Sequence, residues 1–197
     1  MDRLLTATIA VIQDKGLSGA TVPEIAAAAG VATGSLYRRF TDKDDLFRAA
    51  FLNLLESTAE ANRAGLKPQL FAGVPLETAL RSVARSLIQQ YRTHPALLKA
   101  LDRFLETQEG SEFHARALEL IAANFQLIVD AVSVLERQIT RPQPRRAIAF
   151  ALMSATTLIE MRGLHKAAFW DRALPLEDEA LLSETTQLMF AYLTGPA

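Results

Sequence analysis

Residues 21–51, TVPEIAAAAGVATGSLYRRFTDKDDLFRAAF, constrain the fold more than any other stretch of the chain. Thr21 is followed three residues later by Glu24, the pattern of a capping box that opens a helix. Pro23 is tolerated there because N–H groups in a first turn have no helical partner. Ile25 and the alanines 26–29 carry this second helix to Gly30. Thr33 is the next candidate N-cap, for a third helix that runs to Phe40. Thr41, followed by Asp42, Asp44 and Asp45, opens a long fourth helix over about 42–64, with acids at its positive end. Two short helices about a Gly-containing turn, running straight into another helix, form a helix-turn-helix. That device places one helix in the DNA major groove.

The remainder of the chain reads as helices as well. Leu5, Ile9 and Ile12 recur at helical spacing before Lys15-Gly16, so the first helix is expected over about 2–15. Leu66–Pro75 holds two prolines and one glycine, with Gly65 just before it, and is the candidate boundary between an N-terminal module and the rest. Apolar periodicity then marks segments near 76–93, 95–107, 111–139, 142–165 and 176–193, with Pro95 and Pro142 suited to first turns. No strand pattern or internal repeat is seen. The expectation is an all-α chain of about nine helices. A three-helix DNA-binding domain over 1–51 precedes a helical bundle over 66–197, with helix 4 linking them.

Composition narrows the function. With 197 residues, half of them apolar, the chain is globular. It has no cysteine, which excludes disulfides, thiolate chemistry and zinc–cysteine sites and fits a cytoplasmic location. The N-terminus lacks a basic n-region and a cleavage site, so no signal peptide is expected, and the uncharged run Ala147–Ile159 is too short to span a bilayer. Net charge is −1, so affinity for DNA must come from local placement of charge. Even residues 1–51 are neutral, with Arg3, Lys15, Arg38, Arg39, Lys43 and Arg48 set against Asp2, Asp14, Glu24, Asp42, Asp44 and Asp45.

Within the third helix, Leu36 and Phe40 share a face that should pack inward. Gly34, Tyr37 and Arg38 share the opposite side, with Thr33 at the tip. Gly34 lets the backbone approach a base pair closely. Thr33 and Ser35 can donate or accept, Arg38 can read guanine or a phosphate, and Tyr37 can reach a phosphate through its hydroxyl. Arg39, rotated by about 100° from Arg38, contacts either a phosphate or a helix-4 carboxylate. Lys43 lies in a first turn, where the dipole disfavours a cation, and a DNA phosphate there would reconcile the conflict. Thr21 offers its hydroxyl to another phosphate.

The segment from Ile9 to Phe51, with TVPEIAAAAGVATGSLYRRF followed by T-D-K-D-D-L, resembles the DNA-binding domain of the tetracycline-repressor (TetR) family of bacterial regulators. The resemblance implies a homodimeric transcriptional repressor whose C-terminal domain binds a small molecule that releases it from DNA. By position, Thr21, Thr33, Gly34, Tyr37 and Lys43 match residues that commonly touch DNA in the family. Arg39 stands where histidine is common. Only Arg3 stands upstream where many relatives carry a basic arm, so minor-groove anchoring by an arm is not expected.

In the C-terminal part, Leu118, Ile121, Phe125, Ile128, Val132, Leu135 and Ile139 form a long core stripe. The small-residue segment 147–159 and the last helix are the candidates for a dimer interface, a four-helix bundle from two chains, through Leu152, Ala155, Ile159, Leu181, Leu188 and Tyr192. A two-fold dimer places its reading helices about 34–36 Å apart, or a multiple of that, and so predicts a palindromic operator. The family's effector pocket would draw on Tyr91, Arg103, Phe104, Phe125, Met153, Met161 and His165, with Phe169 and Trp170 nearby; core packing is the competing role for each.

No enzyme motif appears. The three histidines, His94, His114 and His165, show no metal-binding spacing, and neither a nucleophile elbow nor a Gly-rich phosphate loop is present. No catalysis, cofactor or membrane partner is expected. The alternative to a DNA-binding regulator is a helical adaptor or ligand-binding protein without DNA binding, which the neutral N-terminal module would suit.

Overall fold

The computed structural model describes residues 2–164 and 172–196. Among the described residues there are nine α-helices and no strand, as the periodicity predicts. They are α1 (Asp2–Gly19), α2 (Val22–Ala29), α3 (Thr33–Tyr37), α4 (Lys43–Gly65), α5 (Leu76–Thr93), α6 (Pro95–Thr107), α7 (Glu112–Ser133), α8 (Pro144–Leu164) and α9 (Asp178–Thr194).

Several boundaries differ from the sequence expectation for local reasons. Gly16 does break the first helix (φ 71, ψ 174), but a further turn to Gly19 follows the kink. The cap of α3 is Ala32, with no side-chain bond, and Thr33 is the first helical residue rather than the cap. α3 ends at Tyr37, because the N–H groups of Arg39 and Phe40 both converge on the Leu36 carbonyl and close the helix into a turn. The cap of α4 is Asp42 rather than Thr41. The Asp42 carboxylate accepts the Asp45 N–H at 2.7 Å, while Asp45 reaches back to the Thr41 N–H at 3.1 Å.

α7 stops at Ser133 instead of continuing to 139, and residues Glu136–Gln138 tighten into a 3-10 turn. Gln138 there accepts the Leu76 N–H at 2.8 Å and donates to the Val74 carbonyl at 3.1 Å, satisfying the start of α5. Pro144, not Pro142, begins α8.

The chain divides into two compact units, Met1–Ala61 with Ala96–Asn124, and Asn62–Pro95 with Phe125–Ala197, so that the division falls inside α4 and α7. In the first unit, Ile12, Ile25, Leu36, Leu46, Phe47 and Phe51 of α1–α4 share one core with Phe104 of α6 and Phe113 of α7. The Phe104 ring lies 5.9 Å from Phe47, 5.3 Å from Phe51 and 5.4 Å from Phe113, a geometry that favours aromatic pairs. Asn124 adds a bond to the Leu55 carbonyl at 3.4 Å, and Arg48 donates to Gln108 at 3.1 Å.

In the second unit α5, α8 and α9 pack against one another around Leu80, Ile148, Leu152, Ile159, Leu182 and Met189. α8 meets α5 so closely that a Cβ at Gly163 would lie 2.7 Å from the Tyr91 Cβ. Arg81 and Arg85 pair with Glu179, and Arg92 with Asp178, across α5 and α9. These pairs are exposed and contribute little each. Among the described residues α8 alone is long and apolar enough to cross a membrane, although its uncharged stretch is not; nearly half of its most apolar window is buried in this unit.

Candidate nucleic-acid interface

The helix-turn-helix is built by short-range capping. The Thr21 hydroxyl donates to Glu24 at 2.8 Å, the Thr21 N–H donates to the same carboxylate at 3.2 Å, and the Glu24 N–H points back to the hydroxyl at 3.5 Å. Gly30 ends α2 in the left-handed region (φ 68, ψ 37), where a side chain would be strained. Its N–H and that of Val31 bond to the carbonyls of Ala27 and Ala26 at 3.1 and 3.0 Å. The chain is thereby turned sharply into α3.

α3 faces two ways. Leu36 and Phe40 are buried in the first core, and the opposite side is exposed. Tyr37 is 59% exposed although it is the one aromatic of the helix, and Gly34 borders open space. Arg38 and Arg39 are exposed, Thr33 and Ser35 half-buried. Arg38 folds along the helix to donate to Ser35 at 3.2 Å, a weak exposed contact that another acceptor can replace. The structure therefore brings Thr33, Gly34, Ser35, Tyr37, Arg38 and Arg39 onto one short, largely solvent-facing element.

Thr21 and Lys43 both have internal partners. The Thr21 hydroxyl is engaged in the capping box that its spacing from Glu24 predicts. The Lys43 ammonium donates to the Leu17 carbonyl at 3.5 Å and lies 5.3 Å from the centre of the Phe47 ring.

Charge is sorted in the same module. Lys15 pairs with Glu24 at 2.5 Å, and Arg48 lies 3.7 Å from Asp42 and 3.8 Å from Asp45. The Lys15 hydrogen bond, followed by those of Thr21, holds the Glu24 carboxyl well below the usual range, at about 2. Glu24, Asp42 and Asp45 of the formally neutral module thus face Lys15 or Arg48. Arg38 and Lys43, next to α3, form no ion pair among the described residues.

In the second unit the residues expected to line an effector pocket do not gather. Phe104 belongs to the core of the first unit, and Arg103 is exposed. Tyr91 and Phe125 pack partly buried against the second core, and Met153 is exposed. His165, Phe169 and Trp170 lie outside the described residues. Only Met161 borders a groove of about 770 Å³ between α8 and α9, whose apolar wall is Leu158, Leu174, Leu176, Leu181 and Leu188. Arg162 holds that wall by donating to the carbonyls of Leu174 and Leu176, each at 3.3 Å.

Of the residues expected at a dimer interface, Leu152, Ala155, Ile159 and Leu181 are buried in the chain's own core. Leu188 is 57% exposed, and Tyr192 is half-buried between Phe150 and Arg141. The outer side of α8 instead presents Phe150, Met153, Leu158 and Met161. An α8 apolar nearly all round gives periodicity no means to separate its inner from its outer face.

Comparison with known proteins follows this geometry. Residues 4–50 match the model of the bacterial regulatory proteins of the tetR family. Over 196 residues the chain is 28% identical to the HTH-type transcriptional regulator BetI of Cronobacter sakazakii, covering 99% of this chain and 91% of that protein. It is 26% identical over 147 residues to BetI of Escherichia coli, covering 74% and 72%. Among solved structures, a tetR-family regulator from Mesorhizobium loti superposes with a TM-score of 0.72 at 17% identity, over 98% of this chain and 94% of that one. The regulator FadR of Bacillus subtilis, solved in complex with stearoyl-CoA, does so with 0.62 at 18% identity, over 100% and 99%. These structural likenesses speak to the fold.

Proposed function

We propose, from the premise that the chain is a transcriptional regulator of the tetR family, that it is a cytoplasmic repressor that binds a palindromic operator as a homodimer and is released by a small apolar effector. The observation that carries the reading is the exposure of Tyr37 beside the open backbone of Gly34, on a five-residue helix that is otherwise anchored by Leu36. An exposed aromatic one turn from a glycine adds nothing to the chain's own core. It suits a helix that enters a major groove. In this reading residues 1–51 read DNA: Thr33, Gly34, Ser35 and Arg38 face base edges, and Tyr37, Arg39 and Lys43 face phosphates. Thr21 joins the phosphate contacts by giving up the Glu24 carboxylate, to which both its hydroxyl and its N–H donate in the free protein.

The homodimer forms through the outer side of α8 and α9, where Phe150, Met153 and Leu188 expose apolar surface that a monomer would leave in water. The region 66–197 also holds the effector. Support for an apolar effector is the hydrophobic wall between α8 and α9 and the acyl-CoA bound by one structural neighbour. α4 continues from the reading module into the second unit, so a ligand that favours one arrangement of α4 acts on operator affinity. It does so only by its differential affinity for the two states.

The test is selection of bound fragments from host genomic DNA by purified protein, with a Tyr37→Ala/Arg38→Ala double variant as control. Enrichment of a palindrome by the wild type alone is the expected result. No enrichment at low salt by a folded dimer would favour the helical-adaptor reading.

A further inference from the structure

We infer that Arg3, in the first turn of α1, is a phosphate-binding residue of the DNA interface. The inference rests on the DNA-binding reading and adds a contact from a helix outside the helix-turn-helix. Arg3 is distant in sequence from α3, yet its guanidinium lies against the turn that launches α3. A Cβ built on Gly30 would sit 3.5 Å from the Arg3 Nη2. Gly30 and Val31 form that turn, and α3 begins at Thr33.

The guanidinium is not consumed by the protein. Two carbonyls of the last turn of α2, those of Ala26 and Ala27, accept the N–H groups of Val31 and Gly30. Among the described residues Arg3 makes no ion pair, whereas Lys15 and Arg48 of the same module do. Its side chain is exposed. It also stands in the first turn of α1, where the helix dipole disfavours a cation unless an anion is close. A duplex that receives α3 in its major groove brings backbone phosphates to the turn before that helix. Arg3 is an exposed cation placed against that turn.

The test is the salt dependence of binding to a random-sequence DNA duplex, which needs no knowledge of the operator. Wild type, Arg3→Ala and Arg3→Lys are compared, with thermal unfolding of each to verify the fold. If Arg3 neutralises a phosphate, Arg3→Ala lowers the slope of log K against log salt by about 0.9 for each protomer bound, and Arg3→Lys keeps it. A folded Arg3→Ala with the wild-type slope overturns the inference and leaves DNA binding intact. So does Arg3→Lys losing the slope as fully as Arg3→Ala, since charge would then not be the cause. A wild type with no salt-dependent binding at all would sink the DNA-binding reading itself.

Discussion

The Lys15 ammonium lies 2.5 Å from the Glu24 carboxylate and so ties the kinked end of α1 to the capping box that opens α2. Because the same carboxylate also receives the Thr21 hydroxyl and N–H, one acid orients two helices and consumes one of the module's cations.

This contact sets a pH dependence. The Glu24 carboxyl is held down to about 2 from an ordinary value of 4.5, first by Lys15 and then by Thr21. A depressed carboxyl contributes stability that is present above its unfolded pKa and lost as pH falls through the folded one. The stability difference between wild type and Glu24→Gln should therefore be constant above pH about 4.5 and shrink between about 4.5 and 2. The Lys15 value is raised by the same pair, so the difference also declines well above neutrality, beyond 10.5. Denaturant unfolding across pH checks this, and a difference unchanged at pH 2 would argue against the pair.

Tyr37→Ala and Arg38→Ala remove exposed side chains and should leave thermal stability within about 0.5 kcal/mol of wild type. Each should weaken operator binding. For Arg38 a base-specific role costs about 1–3 kcal/mol and relaxes specificity at one position, while a phosphate role weakens all sequences alike. Titration of the selected operator and of its single-base variants separates the two.

Phe104→Ala should destabilise the protein by about 3–5 kcal/mol, since the ring is buried among Phe47, Phe51 and Phe113. DNA affinity of the fraction that stays folded should be little changed. A stable variant with altered effector response would instead assign Phe104 to a ligand site.

Met153→Glu with Leu188→Glu should yield a folded monomer by sedimentation, because both side chains are more than half exposed. Leu152→Ala and Ile159→Ala should cost about 2–5 kcal/mol of stability, as they vacate the inner core. A double glutamate variant that remains dimeric would place the interface elsewhere.

The sequence was most legible where structure is local. The Thr21–Glu24 box and Gly30 lie within one helical turn of the atoms they satisfy, and both behave as their residue types dictate. Pro95 and Thr107 bound α6 as the periodicity predicts. The reading was weaker where a boundary depends on a partner from afar. α7 ends early at a point where Gln138 serves the start of α5, 62 residues away. The outward-facing residues of α3 were named from helical spacing, but the Leu17 carbonyl beneath Lys43 was not visible in one dimension.

By itself, then, the sequence determined the helices, the capping box of α2 and the outward set on α3, because hydrogen bonds and side-chain periodicity act over a few residues. Only the tertiary structure decided which side of α8 is core, which places Leu152 and Ile159 inside and Phe150 and Met153 outside. It also joined Phe104 and Phe113 to the core of the first unit and set Arg3 against Gly30. Burial and charge pairing depend on which elements meet, and that is decided only when segments distant in the chain pack together.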